Sequence, residues 1–157
     1  MFKNGLIDGV EVRALNRYSD ERGWLMEVFR DDELAADTRP AMTYVSMTKP
    51  GVARGPHEHT DQVDYFCFSG PSTFKVYLWD NRPESATYRN MMTVVGGEEA
   101  PTVVIVPRKV VHAYRNIGGR DGLVINCPNR LFKGRGKKEP VDEVRYEHDP
   151  KSPYRLD

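Results

Sequence analysis

The chain is poor in every feature that would move it out of an ordinary globular class. Only two cysteines occur among 157 residues, Cys67 and Cys127. Both sit in apolar, strand-like surroundings, so they read as buried thiols in a reducing compartment and not as a disulfide framework. No apolar run approaches the ~18 residues of a membrane span, and no charged-then-apolar leader opens the chain. The expectation is a soluble, cytoplasmic protein without a membrane partner. Neither charge sign is in excess, with 23 Lys plus Arg against 23 Asp plus Glu. That balance excludes a polyanion surface, and nucleic acid with it; the one basic stretch, residues 130–138 (RLFKGRGKK), reads as a solvated loop. Internal repeats and low-complexity segments are lacking, and helical periodicity is nearly so.

What is there is a succession of short β-prone runs. They cover residues 10–15, 24–29, 43–48, 63–68, 73–80, 91–95, 102–106 and 122–127. Gly and Pro mark almost every gap, as in Lys49-Pro50-Gly51, Ser69-Gly70-Pro71, Gly96-Gly97 and Gly118-Gly119. Many short strands at this spacing predict an all-β sandwich or barrel, here as a single domain over 1–157. The only helical candidate is DDELAAD, residues 31–37. From residue 129 the pattern weakens, and the tail 129–157 is expected to be ordered by packing back on the barrel.

The histidines carry the functional signal. There are four, and His57 and His59 stand two apart in GPHEHTDQVD. In an extended strand, residues two apart point to one face, so both imidazoles converge. Asp64 follows on the next run, and His112 arrives in VPRKVVHAYRN. Glu58, out of phase with the pair, is expected at the surface, whereas Phe66 and Phe68 read as core.

Two spacings resemble the paired motifs of the cupin superfamily. They are Gly51-x5-His57-x-His59-x4-Asp64-x5-Gly70 and Pro107-x-Lys109-x2-His112-x3-Asn116. Asp64 stands where the first motif usually has Glu, and Lys109 where the second usually has Gly. A narrower resemblance covers most of the chain. It rests on residues 20–27 (DERGWLME), 51–57 (GVARGPH), 79–88 (WDNRPESATY), 106–112 and 147–150 (EHDP), in that order. These pieces are similar to the dTDP-4-dehydrorhamnose 3,5-epimerases and related sugar-nucleotide epimerases.

The resemblance implies a cupin jelly-roll barrel and a nucleotide-sugar substrate from which a proton is removed next to a 4-keto group. It implies His57 as general base, Asp149 as its carboxylate partner, and Arg22, Glu27, Arg54 and His112 as substrate-binding residues. It also implies no organic cofactor and a homodimer in which N-terminal strands, within residues 1–30, are exchanged.

This chain departs from the family at the centre of the site. Asp64 replaces a lysine that stabilises the enolate, His59 is an added imidazole, and the family's acid tyrosine would fall near Asn129, where none stands. Tyr65, Tyr114 and Tyr154 are the substitutes considered. His57, His59, Asp64 and His112 together match the ligand set of metal-binding cupins, which implies a divalent Zn, Fe, Mn or Ni ion. Two further functional classes stay open at this point: a metal-dependent cupin such as a small-sugar isomerase or dioxygenase, and a non-catalytic sugar-binding cupin.

Overall fold

A computed structural model describes residues 1–157. Its N-terminal half holds β1 (Lys3–Asn4), β2 (Glu11–Ala14), β3 (Tyr18–Asp20), β4 (Gly23–Leu25), β5 (Tyr44–Thr48), β6 (Ala53–Glu58) and β7 (Asp64–Phe68). The rest holds β8 (Thr73–Asp80), β9 (Asn90–Gly97), β10 (Thr102–Val106), β11 (Val110–Asn116), β12 (Gly122–Asn126) and β13 (Val144–Arg145). Two sheets face each other in a jelly-roll-like arrangement. One has the order β1-β9-β8-β11-β6-β13, the other β2-β10-β7-β12-β5, while β3 and β4 pair only with each other.

Alternation along the strands builds the core. Phe66 and Phe68 of β7, Val104 and Val106 of β10 and Val124 of β12 meet Phe74, Val76 and Leu78 of β8 and Val110 and Tyr114 of β11. The out-of-phase residues Tyr65, Cys67, Val103 and Ile105 are buried as well, on the outer face under Leu34 and Cys127. Strands covered on both faces read as continuous apolar runs, which explains TVVIV. The second outer face, with Tyr77, Trp79, Val111 and Ala113, is covered by Tyr146, Tyr154 and Leu156 of the tail.

Three local expectations change. The run 24–29 is a strand only at Gly23–Leu25, in a hairpin whose residues are all exposed. The helical candidate is two 3₁₀ turns, Asp31–Glu33 and Ala36–Thr38, neither with a side-chain cap. A helix there has no apolar stripe to bury, since Leu34 alone among its residues reaches the core. Finally, β6 and β11 are strands that periodicity does not announce. In β11 five consecutive residues from Val110 to Tyr114 are buried, so no inside-outside alternation remains to be read.

Candidate active site

The site lies between the two sheets and takes its imidazoles from one wall and its carboxylate from the other. His57 is the penultimate residue of β6, His112 lies on β11 directly opposite it, and Asp64 opens β7. Their approach depends on a bulge: His112 pairs with His57, but Tyr114 pairs with Arg54, so Gly55 and Pro56 together oppose a single residue. Gly55 makes this close approach feasible. Its φ is +81°, and a Cβ there would stand 2.6 Å from the His112 carbonyl oxygen. His59 sits just beyond β6, and its carbonyl accepts the Lys109 N–H at 2.8 Å. Lys109 itself has φ +59°, a left-handed conformation that accounts for glycine at this point of the motif it resembles.

The three imidazoles form one cluster. The ring centres of His57 and His112 are 4.5 Å apart, and those of His59 lie 5.6 Å from each of the others. Side-chain exposure is 16% for His57, 11% for His59 and 3% for His112. Two of the rings have their outer nitrogen held by the frame. The Val110 carbonyl accepts His112 Nδ1–H at 3.0 Å, and the Asp142 carbonyl accepts His59 Nδ1–H. This leaves both Nε2 atoms turned to Asp64, whose Oδ2 lies 3.1 Å from His59 and 3.2 Å from His112. Asp64 Oδ1 accepts Gln62 Nε2 and Asn126 Nδ2, each at 2.8 Å.

This geometry splits the protonation states. Burial pushes the Asp64 carboxyl up, but His112 and His59 against it hold it well below the ordinary carboxylate value. Burial pushes His59 down, and the Asp64 carboxylate 3.1 Å from its Nε2 more than offsets this, raising it to about 9. His57 lacks such a partner. Burial, then the neighbouring His112 and His59, lower it to about 2. One cavity therefore holds a neutral imidazole beside an imidazolium, the arrangement that separates a base from an electrophile.

The carboxylate beside His57 is Glu143, with Oε1 3.7 Å from His57 Nδ1 and Arg145 Nη2 2.6 Å from its other oxygen. Sequence reasoning missed it, and Asp142 with it. Asp142 accepts the backbone N–H groups of Thr60, Asp61 and Gln62 at 2.8–2.9 Å, which fastens the loop carrying His59. Both residues reach the site because β13 pairs with β6, Arg145 opposite His57. A two-residue strand distant in sequence leaves no local pattern to find.

Other expected site residues are scattered. Asp149 is exposed and accepts the N–H of Lys151 two residues on. Arg54 lies on the rim, where its Nε donates to Thr48 Oγ1 at 3.0 Å and its Nη2 to the Met47 carbonyl at 2.8 Å. Arg22, 83% exposed, pairs only with Asp20, and Glu27 pairs with Arg30 at 3.6 Å; both belong to the exposed N-terminal arm. Glu58 is buried, not exposed, with its carboxylate taking hydrogen bonds from Asn81 and Tyr146 on the outer face of the sheet. Among the tyrosines, Tyr65 donates outward to the Val28 carbonyl, and Tyr154, in the tail, packs on the outer face against Trp79. Tyr114 bonds Ser46 across the interior. Tyr44, not singled out from sequence and 43% exposed, borders the site: its phenol oxygen accepts Asn126 Nδ2 at 2.9 Å.

The dTDP-4-dehydrorhamnose 3,5-epimerase family model matches residues 5–133. A probable low-salt glycan biosynthesis epimerase, Agl13, of Haloferax volcanii is 39% identical over 145 residues, covering 91% of this chain and 89% of that protein. A dTDP-sugar isomerase from Desulfovibrio desulfuricans superposes with a TM-score of 0.79 at 20% identity, covering 92% of this chain and 87% of its own. The 3'-monoepimerase ChmJ of Streptomyces bikiniensis, solved in complex with dTDP-quinovose, gives 0.77 at 20% identity over 92% of this chain and 72% of its own. At such identity the two structures speak to the fold alone.

Proposed function

The chain belongs to the dTDP-4-dehydrorhamnose 3,5-epimerase family and is an epimerase/isomerase of that type, and we propose that His57 removes a proton beside the ketone of a nucleotide-linked 4-keto sugar. The observation that carries this is the split imidazole pair. His57 keeps a free lone pair through the cellular pH range, and His59, charged by Asp64, supplies a cation next to it. A base held this far down is weak, so acidification of the carbon–hydrogen bond falls to the group that stabilises the enolate oxygen. In this reading Asp64 does not oppose the developing charge. It restores the family's missing cation by keeping a proton on His59. Glu143 takes the part of the carboxylate beside the base, and Asp149 has no role at the ring. His112 and Arg54 face the substrate, Arg54 from the rim as a diphosphate ligand.

The protein is incubated with dTDP-4-keto-6-deoxyglucose in heavy water, with and without divalent ions. Deuterium is expected at a carbon flanking the ketone; no exchange with any 4-keto nucleotide sugar sinks the proposal.

A second reading is favoured by two buried atoms without hydrogen-bond partners, His112 Nε2 and Asp64 Oδ2. The ligand nitrogens of His57, His59 and His112 lie within 4.8 Å of one another, and this donor set suits Zn, Fe, Mn or Ni. The three histidines with Asp64 would hold the ion, which supplies Lewis-acid polarisation of a carbonyl. His57 then gives up its lone pair and with it the base role. Metal content before and after chelation, read against exchange rate, separates the two accounts: full activity in metal-free protein eliminates the second.

The arm also fits a homodimer. Tyr18, Trp24 and Leu25 on the β3–β4 hairpin are 55–60% exposed, and Val45 and Met47 on edge strand β5 are 61% and 46% exposed. Arm exchange would cover both sets and carry Arg22 and Glu27 to the partner's cavity. The free buried thiols of Cys67 and Cys127 suit the cytoplasm. Residues 1–157 are read as one domain.

A further inference from the structure

Inversion at carbon requires a proton to leave one face of the ring and another to arrive at the opposite face. The structure assigns the arrival to Tyr44: we propose that its phenol delivers the proton from the wall facing His57. The inference rests on the proposed proton abstraction by His57.

Four observations carry it. First, Tyr44 lies on β5 in the sheet that also supplies Asp64 and Asn126, whereas His57 and His112 lie in the other sheet. A flat ring held between the sheets would then meet base and phenol on opposite faces. Second, Tyr44 and Ser46 share one face of β5, and Ser46 bonds Tyr114 of β11 across the interior at 3.0 Å, so this face looks into the cavity. Third, Tyr44 stands opposite Asn126, whose amide also donates to Asp64, the carboxylate set against His59 and His112, so the phenol borders the imidazole cluster.

The fourth concerns the phenol's own hydrogen bonding. The Tyr65 N–H donates to Asn126 Oδ1 at 3.1 Å, which fixes the amide with its Nδ2 towards the cavity. Asn126 Nδ2 then donates to Asp64 Oδ1 and to Tyr44 Oη, at 2.8 and 2.9 Å. The phenol oxygen is thus an acceptor already, and its hydrogen has no acceptor within the chain. Partial desolvation of the phenol, then the Asp64 charge, keeps it protonated although the residue is 43% exposed. A donor with a free hydrogen and a fixed N–H aimed at its oxygen suits proton delivery, because that N–H stabilises the phenolate left behind.

The step balances. His57 takes the proton from the carbon beside the ketone, and the C–H electron pair becomes the enolate. That pair re-forms a C–H bond with the Tyr44 proton on the other face as the carbonyl returns. Tyr44 phenolate regains a proton from water, and His57 releases one to water.

The test compares wild type with Tyr44→Phe on dTDP-4-keto-6-deoxyglucose in heavy water, following deuterium exchange and epimer formation by NMR. Expected is exchange that persists, because His57 can take and return a proton on its own face, with inversion reduced about 100-fold or more. Persisting exchange itself establishes a folded, substrate-loaded site. Equal inversion by wild type and variant overturns the assignment. So does parallel loss of exchange and inversion, which marks a structural role, and so does a wild type that exchanges without inverting. A wild type that does neither refutes the proposed function from which the assignment starts.

Discussion

Asp64→Asn is the sharpest probe of this centre, because one carboxylate oxygen faces two imidazoles in a site with 1% exposure at Asp64. In the folded protein His59 is raised from 6.5 to about 9, chiefly because Asp64 outweighs the burial that would lower it. Moving this proton equilibrium from 6.5 to about 9 corresponds to roughly 3 kcal/mol of coupling between the proton and the fold. The raised value fixes the direction. Stability from this group is fully present below pH 6.5 and is lost as pH rises through 9. Asp64, held below 3.8, contributes stability above pH 3.8 that is lost as pH falls through its folded value. The pair therefore supports the fold best between about pH 4 and 6.5. Without the carboxylate, burial is opposed only by the Asp142 carbonyl and the Glu143 charge, and the His59 pKa falls well below its wild-type value. Wild type minus Asp64→Asn stability, measured by denaturant unfolding of chelator-treated protein, should then shrink by roughly 3 kcal/mol between pH 6 and pH 10. Histidine ring-proton NMR titration reads the same shift directly. Exchange at pH 7.5 should fall about 10²–10³-fold as the enolate loses its cation. A wild-type His59 that titrates at or below 6.5, or a stability difference that stays flat across the window, refutes the reasoning.

Other perturbations separate the remaining parts. Glu143→Gln keeps shape but removes the charge beside His57, and should lower the exchange rate about tenfold or more with little effect on melting temperature; an unchanged rate removes Glu143 from the base's surroundings. Gly55→Ala forces a Cβ to 2.6 Å from the His112 carbonyl at φ +81°, and should cost about 2–4 kcal/mol in chemical denaturation. A loss under 1 kcal/mol would mean the bulge relaxes freely. Mixing inactive Arg22→Ala with inactive His57→Ala after joint refolding should restore about a quarter of wild-type activity if the arms are exchanged, since hybrid dimers then hold one intact site. No recovery, with dimers formed, argues against exchange.

The route from chain to site shows where local patterns suffice. Runs such as TFKVYLWD and TVVIV announced strands because side-chain periodicity and turn residues are properties of neighbours in sequence. His57 and His59, two apart, were legible as a converging pair for the same reason, although His59 lies just past the strand and is held there by Lys109 and Asp142. β11 was harder to read. Its residues VVHAYRN, nearly all buried, show neither inside-outside alternation nor the unbroken apolar run of TVVIV, and it is this strand that carries His112.

By itself the sequence determined an all-β chain, a histidine cluster, buried thiols and membership of a sugar-epimerase family, because spacing and ordered motifs survive in one dimension. Tertiary structure alone decided what surrounds each imidazole. Glu143 and not Asp149 stands by His57 because β13 pairs with β6 across some 85 residues of chain. His59 is driven towards its charged form and His57 towards its neutral one because Asp64 stands against His59 and not against His57. Tyr44 becomes a donor because Asn126, opposite it on β12, turns its amide between phenol and carboxylate. Partners across sheets depend on register and closure, and protonation depends on burial and on the partner; neither is a property of neighbours along the chain.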